Sequence, residues 1–294
     1  MSSVFRQPMI FLKLIRFEHT LFALPFALAG ALLAAGGLPM ASTLAWILVA
    51  MVGARTAAMA FNRLVDRRFD AANPRTASRP SVTGTVTPAF MALSVVLAAA
   101  LFVYAASRLN ALALALAGPT LGVLLGYSLV KRFWHHSHLV LGLALGLSPL
   151  GAWVAVRGRL DDAWPAAALG LAVLLWTNGF DILYACQDED FDRATGLHSV
   201  PQRFGRRRAL TIARLSHAMV VPALAAAGWT AGSGLAFFLG VAVVAALLVH
   251  EHRLVSADDL SRVNLAFFQV NVAIGFVVLL ATGLDLWMAG GPGA

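Results

Sequence analysis

The chain has 294 residues, 60% of them hydrophobic and only 12% charged, with a formal charge of +8 and a mean hydropathy of +0.78. A soluble protein of this size has too little polar surface to cover so much apolar side chain, which leaves an integral membrane protein in contact with a lipid bilayer. The basic residues lie in short segments between apolar runs, with no basic helix to meet a nucleic acid, and the single cysteine, Cys186, excludes an internal disulfide or a multi-cysteine metal site.

Apolar runs of roughly 17–25 residues recur along the chain and match the length of a bilayer-spanning helix. They predict an all-α polytopic protein of about nine transmembrane helices, at roughly 19–36, 42–65, 88–107, 110–129, 138–156, 164–187, 209–229, 232–250 and 263–284. Arg6, Lys13 and Arg16 precede the first run as in a signal peptide, but Glu18 and His19 adjoin it and many spans follow, so it reads as an uncleaved helix. The second helix carries Arg55 inside its apolar stretch. It runs into Asn62-Arg-Leu-Val-Asp66-Arg-Arg-Phe-Asp70, then Ala-Ala-Asn73-Pro-Arg75-Thr76. Asn62, Asp66 and Asp70, spaced i, i+4, i+8, form one polar stripe on a helix. Small residues such as Gly30, Ala31 and Ala34, and Gly118, Gly122 and Gly126, suit close helix contacts in lipid.

The fourth helix ends on Tyr127-Ser-Leu-Val-Lys131-Arg132, followed by His135, His136 and His138, which read as solvated loop histidines with no metal. Trp153, Trp164 and Trp176 suit interfacial belts or packing. The sixth helix ends in Asp181-Ile-Leu-Tyr184-Ala-Cys-Gln187-Asp188-Glu-Asp-Phe-Asp192, a second acidic stripe. Asp66–Asp70 and Asp188–Asp192 share the pattern D-x-x-F-D, a hint of two related halves. With the N-terminus inside, most Lys and Arg fall on the inner face, against Arg108, Arg157 and Arg159 outside, so the positive-inside rule makes the N-terminus and the acidic loops cytoplasmic.

An aspartate at mid-bilayer costs roughly 2.5–3.5 kcal/mol on insertion scales, so stripes at helix ends facing a shared polar cavity are the tolerable arrangement. Crowded carboxylates repel one another until a hard cation relieves them, and Mg²⁺ takes one or two carboxylates plus phosphate oxygens. Arg67, Arg68, Arg75, Arg79, Lys131 and Arg132 supply positive charge for the remaining phosphate oxygens. Together these groups point to a diphosphate. The bland reading is solvated acids pairing with neighbouring arginines. A secondary transporter also carries intramembrane acids, but its site lies near mid-membrane.

The motifs N-R-x-x-D-x-x-x-D-x-x-N-P-R-T, Y-S-L-V-K-R and D-x-x-Y-A-x-x-D-x-x-x-D, each at a helix end, resemble those of the UbiA family of intramembrane prenyltransferases. The resemblance implies one transmembrane domain over 1–294, nine helices around a central cavity, and transfer of a polyprenyl group from its diphosphate to an aromatic acid acceptor in quinone synthesis. It implies Asp66 and Asp70 on one Mg²⁺ and Asp188 and Asp192 on another, with Asn62 and Asp181 in the polar walls. Lys131 and Tyr127 resemble the family's diphosphate clamp, helped by Arg75 and Arg132. Where many members have Asn-Asp, this chain has Asn62-Arg63. Arg55 would meet the acceptor's carboxylate; a structural ion pair or snorkelling is the other reading. Asp181 would handle the acceptor's hydroxyl. The acceptor is 4-hydroxybenzoate-like or of the hydroxynaphthoate type, since Lys13-Leu-Ile-Arg-Phe-Glu-His-Thr20 and Asn62-Arg63-Leu64 also resemble the menaquinone futalosine-route subgroup. The location implied is a bacterial inner membrane.

Overall fold

The computed structural model describes Ile10, Leu14 and residues 20–290, with the side chains of Thr20 and Leu21 excepted. Arg6, Lys13, Arg16, Glu18 and His19, with most of the 13–20 motif, lie outside the described residues. The long helices are α1 (Thr20–Ala35), α2 (Ala41–Val65), α4 (Pro88–Leu109), α5 (Ala111–Val130), α6 (Ser137–Arg157), α7 (Trp164–Ala185), α10 (Arg206–Ala231), α11 (Leu235–Leu254) and α13 (Asn271–Met288). Short pieces fill the loops: α3 (Arg67–Ala72), α8 (Glu189–Thr195), α9 (Val200–Phe204) and α12 (Val263–Leu265). Among the described residues eight helical spans are long and apolar enough to cross a membrane, and α1 adds a shorter apolar one. At about 1.5 Å per residue a twenty-residue helix covers roughly 30 Å, the depth of the hydrocarbon layer.

The helices pair in sequence around the molecule. α2 packs on α4, α4 on α5, α5 on α6, α6 on α7, α7 on α10, α10 on α11 and α11 on α13; α1 closes the set against α13 and α6. Local signals fix several ends. Thr87 Oγ1 accepts from Phe90 N–H at the start of α4, and Asn110 Oδ1 accepts from Ala113 N–H at the start of α5. Asn110 Nδ2 also donates to Val154 O at 2.8 Å, which ties that hairpin to the end of α6. There the chain turns through Gly158 at φ 68°, a conformation that favours glycine. The start of α11 is capped from another helix: Asp285 of α13 accepts from Gly234 N–H and Phe237 N–H.

An aromatic cluster of Phe22, Phe26, Trp176 and Phe180 fills the centre and extends to Phe267. Trp153 and Trp176 are buried, whereas Trp164 is exposed at the start of α7, the position of an interfacial belt. Gly146 and Gly170, not singled out from sequence, bring α6 and α7 into backbone contact; Gly30 acts as expected, since an added methyl would meet Pro149 O at 2.7 Å. The stripe Gly118, Gly122, Gly126 does not: a methyl on any of them would meet nothing within 4 Å. These glycines lie on a face of α5 that no described helix covers.

Candidate active site

Both acidic stripes lie where long helices end on one face of the bundle. α2 stops at Val65, Asp66 forms its C-cap at φ −88°, and α3 resumes at once. Asp70 N–H still donates to Asp66 O at 2.8 Å, so the i, i+4 alignment survives the break. The second stripe passes from α7 through a 3-10 turn, Cys186–Asp188, into α8. Between Asp70 and Arg75 the backbone folds back on itself: Thr76 Oγ1 donates to Asp70 O and Arg75 N–H to Asn73 Oδ1. That turn delivers Asn73 and Arg75 to the other stripe. Asn73 Nδ2 donates to Asp188 Oδ1 at 3.1 Å, and Arg75 grips both oxygens of Asp188 at 3.1 and 2.5 Å.

One cavity of about 290 Å³ lies between the stripes. Its lining includes Asn62, Asp66, Asp70, Arg75, Tyr127, Lys131, Asp181, Asp188 and Asp192, and Arg55 at its apolar end. The residues expected from sequence meet there except Arg67 and Arg68, which are exposed, Arg67 donating to Ser81 O at 2.9 Å, and Arg132, which lies at the rim: its Nη2 donates to Val65 O at 2.8 Å and lies 3.4 Å from Asp66, with the guanidinium over Phe69. A carbonyl at the end of α2 and an aromatic face hold Arg132 in a place its sequence position did not reveal.

Each of three acids has an arginine. Asp66 pairs with Arg132, Asp70 with Arg79 at 2.7 Å, and Asp188 with Arg75. Asn62 Nδ2 donates to Asp66 at 2.8 Å, and Arg63 in turn donates to Asn62 Oδ1. Burial pushes the Asp66 carboxyl above the usual range, against the pull of Lys131. The Lys131 ammonium is in no ion pair among the described residues. Among them, no three His, Cys, Asp or Glu side chains gather into one metal-binding cluster. Yet Asp70 Oδ2 and Asp192 Oδ1 are buried with no hydrogen-bond donor, lone pairs available to a cation. One such oxygen on each stripe fits a hard cation, whose shell phosphate oxygens and water would complete.

His138 differs from expectation: it is 4% exposed, in the first turn of α6, with Nδ1 2.6 Å from Asp181 Oδ2. Tyr184, one turn before Asp188, was legible only as part of a motif; its hydroxyl accepts from Arg75 and its ring stacks on Phe267. A second cavity of about 470 Å³, lined by apolar side chains such as Ile47, Met51, Phe102, Val123 and Leu147, adjoins the first and shares Arg55, Tyr127, Leu141 and Leu145 with it.

The sequence matches the model of the UbiA prenyltransferase family over residues 23–282. Relatives named 4-hydroxybenzoate octaprenyltransferase, from Salmonella newport and Salmonella agona, are each 31% identical over 247 residues, covering 82% of this chain and 83% of theirs. An apo UbiA homologue from Aeropyrum pernix K1 has the same fold, with a TM-score of 0.80 at 31% identity over 92% of this chain and 98% of that one. A UbiA homologue from Archaeoglobus fulgidus bound to GPP and Mg²⁺ shares the fold at a TM-score of 0.71 and 20% identity, over 94% of this chain and 99% of that one. Acidic helix ends around one polar cavity, an apolar chamber beside it and a family match across most of the length place this membrane-embedded enzyme in the UbiA prenyltransferase family.

Proposed function

We propose that this prenyltransferase moves a polyprenyl group from its allylic diphosphate to an aromatic acid of the 4-hydroxybenzoate type, with Mg²⁺, on one transmembrane unit spanning residues 1–294. The observation that carries the reading is the convergence of Asp66, Asp70, Asp188 and Asp192 on a single cavity that also holds Lys131. Asp66 and Asp70 would hold one Mg²⁺ and Asp188 and Asp192 another; bound there, the metal supplies positive charge to the departing diphosphate. Lys131, with Tyr127, meets the phosphate oxygens. Arg75, Arg132 and Asn62, each bonded to one of the same acids, would add donors to the phosphate oxygens once metal takes those carboxylates. Support for donor and metal comes from the Archaeoglobus fulgidus homologue bound to GPP and Mg²⁺.

The apolar cavity takes the prenyl chain and keeps water from the allylic cation. Arg55 stands where the two cavities meet and pairs with the acceptor's carboxylate, while Asp181 receives the acceptor's hydroxyl. The names of the Salmonella relatives support a 4-hydroxybenzoate acceptor; a hydroxynaphthoate acid offers Arg55 the same carboxylate and is the second reading. The distribution of Lys and Arg supports the acidic loops lying on the cytoplasmic side, and the Salmonella relatives support a bacterial inner membrane. The test is product formation by the purified protein from geranyl diphosphate and each acid. Prenylated 4-hydroxybenzoate made only with Mg²⁺ supports the reading, and no product from either acid overturns it.

A further inference from the structure

We infer that His138 is a positioning residue for the acceptor: it holds Asp181 as an oriented carboxylate whose free oxygen receives the acceptor's hydroxyl. This rests on the aromatic-acceptor reading above. The ring of His138 is wedged between two fixed partners, Asp181 Oδ2 at 2.6 Å from Nδ1 and Val200 N at 3.4 Å from Nε2. A backbone N–H can only donate, so Nε2 presents its lone pair and the proton of the neutral ring sits on Nδ1, directed at the carboxylate. The tautomer is thus set by the backbone entering α9. A donor on Oδ2 fixes the rotamer of Asp181 and leaves Oδ1 as the oxygen that faces the acceptor.

What remains free on Asp181 faces the reaction space. Its side chain is 25% exposed against 5% for His138, and both line the polar cavity. Among the described residues Oδ1 has no partner. The strap that fixes the histidine also reaches the leaving-group side, because His198 N–H donates to Lys131 O at 2.7 Å two residues before Val200. One short segment therefore registers Lys131 and His138 against each other.

The chemistry balances with His138 neither gaining nor losing a proton. Asp181 Oδ1 takes the hydroxyl proton, and the oxygen's electron pair drives the ortho ring carbon to bond the allylic carbon. The allylic C–O bond breaks with its pair leaving on the diphosphate. The ring carbon then loses its proton to that diphosphate, restoring aromaticity, and Asp181 returns its proton to the oxygen.

The experiment compares wild type, His138→Leu and His138→Asn in detergent, with geranyl diphosphate, Mg²⁺ and either 4-hydroxybenzoate or its more acidic 3-fluoro analogue. His138→Leu should lower kcat roughly 10–100-fold, the loss typical of removing a partner that orients a functional group, with the KM for geranyl diphosphate within about twofold of wild type. His138→Asn, whose Nδ2–H stands where Nδ1–H stood, should recover most of the loss, and the fluorinated acceptor should narrow the gap between His138→Leu and wild type. If His138→Leu does not elute as a folded protein, the Asn variant and the acceptor comparison decide. Unchanged kcat in His138→Leu, a loss confined to the KM for the diphosphate, or equal loss in folded Leu and Asn variants overturns the role. An inactive wild type instead sinks the acceptor assignment beneath it.

Discussion

Asp285→Ala tests how the bundle is held together far from its chemistry. The carboxylate, 7% exposed near the end of α13, receives Gly234 N–H at 3.0 and 2.9 Å and Phe237 N–H at 3.3 Å, so the first turn of α11 has its acceptor on another helix. Losing a cap costs roughly 0.5–2 kcal/mol. Losing a partly buried negative charge at a helix N-terminus costs up to about 2 kcal/mol. The two effects overlap, which puts Asp285→Ala at about 2–3 kcal/mol. Asp285→Asn keeps an oxygen acceptor and loses only the charge, about 1 kcal/mol. At roughly 2 °C per kcal/mol for a chain of this size, the unfolding midpoints should fall by about 4–6 °C and about 2 °C. The protein carries its own reporter, since Cys186 is the single cysteine and is buried, so a fluorogenic maleimide labels it only on unfolding. Phe267 in the cavity wall is roughly 27 Å along the helix from Asp285, so turnover at low temperature should be unchanged. An Ala variant that melts within about 1 °C of wild type, or an Asn variant as damaged as Ala, would refute the cap.

Four further outcomes follow from the site and the packing. Asp66→Ala or Asp188→Ala should lower turnover at least about 100-fold while helical content and elution stay those of wild type; activity retained in both excludes the metal assignment. Chelation with EDTA should abolish product formation and added Mg²⁺ restore it, an expectation that fails if the chelated enzyme keeps working. Arg55→Leu should raise the KM for 4-hydroxybenzoate about tenfold or more and leave that for geranyl diphosphate alone, read from initial rates with one substrate varied. Gly146→Ala would drive a methyl to 2.6 Å from Gly170 O and should cost about 1–3 kcal/mol, whereas Gly122→Ala meets nothing and should be neutral or stabilising in the same thiol assay.

The spans and the acidic stripes were legible because both rest on short-range regularities, hydrophobic run length and i, i+4 spacing. The stripe through Asn62, Asp66 and Asp70 even survives a helix break, since one hydrogen bond carries the turn across it. Choice of partner was not legible. Arg75 meets Asp188 across 113 residues, a consequence of how the Asn73-Pro-Arg75-Thr76 turn folds against α7. His138 read as a loop residue because no side-chain cap marks the start of α6 and because its partners, Asp181 and Val200, are remote in sequence. The π-helical turn Ala266–Val270, which sets Phe267 against Tyr184, is likewise a tertiary product: Asn271 donates to Ala266 O and Phe267 O from the buried Glu251 side. Composition marked the glycines of α5 as contact residues but could not say which face has a neighbour.

Those uncovered glycines divide the bundle mechanically. Where α6 meets α7, main chain approaches main chain at Gly146 and Gly170 so closely that a methyl on either would strike the other's carbonyl oxygen. α5 has no such lock along its glycine face, and Pro119 leaves it one internal hydrogen bond short. The apolar cavity is bordered by α5, through Thr120, Val123 and Leu124, whereas the helix that carries Asp181 is the one held against its neighbour at Gly170.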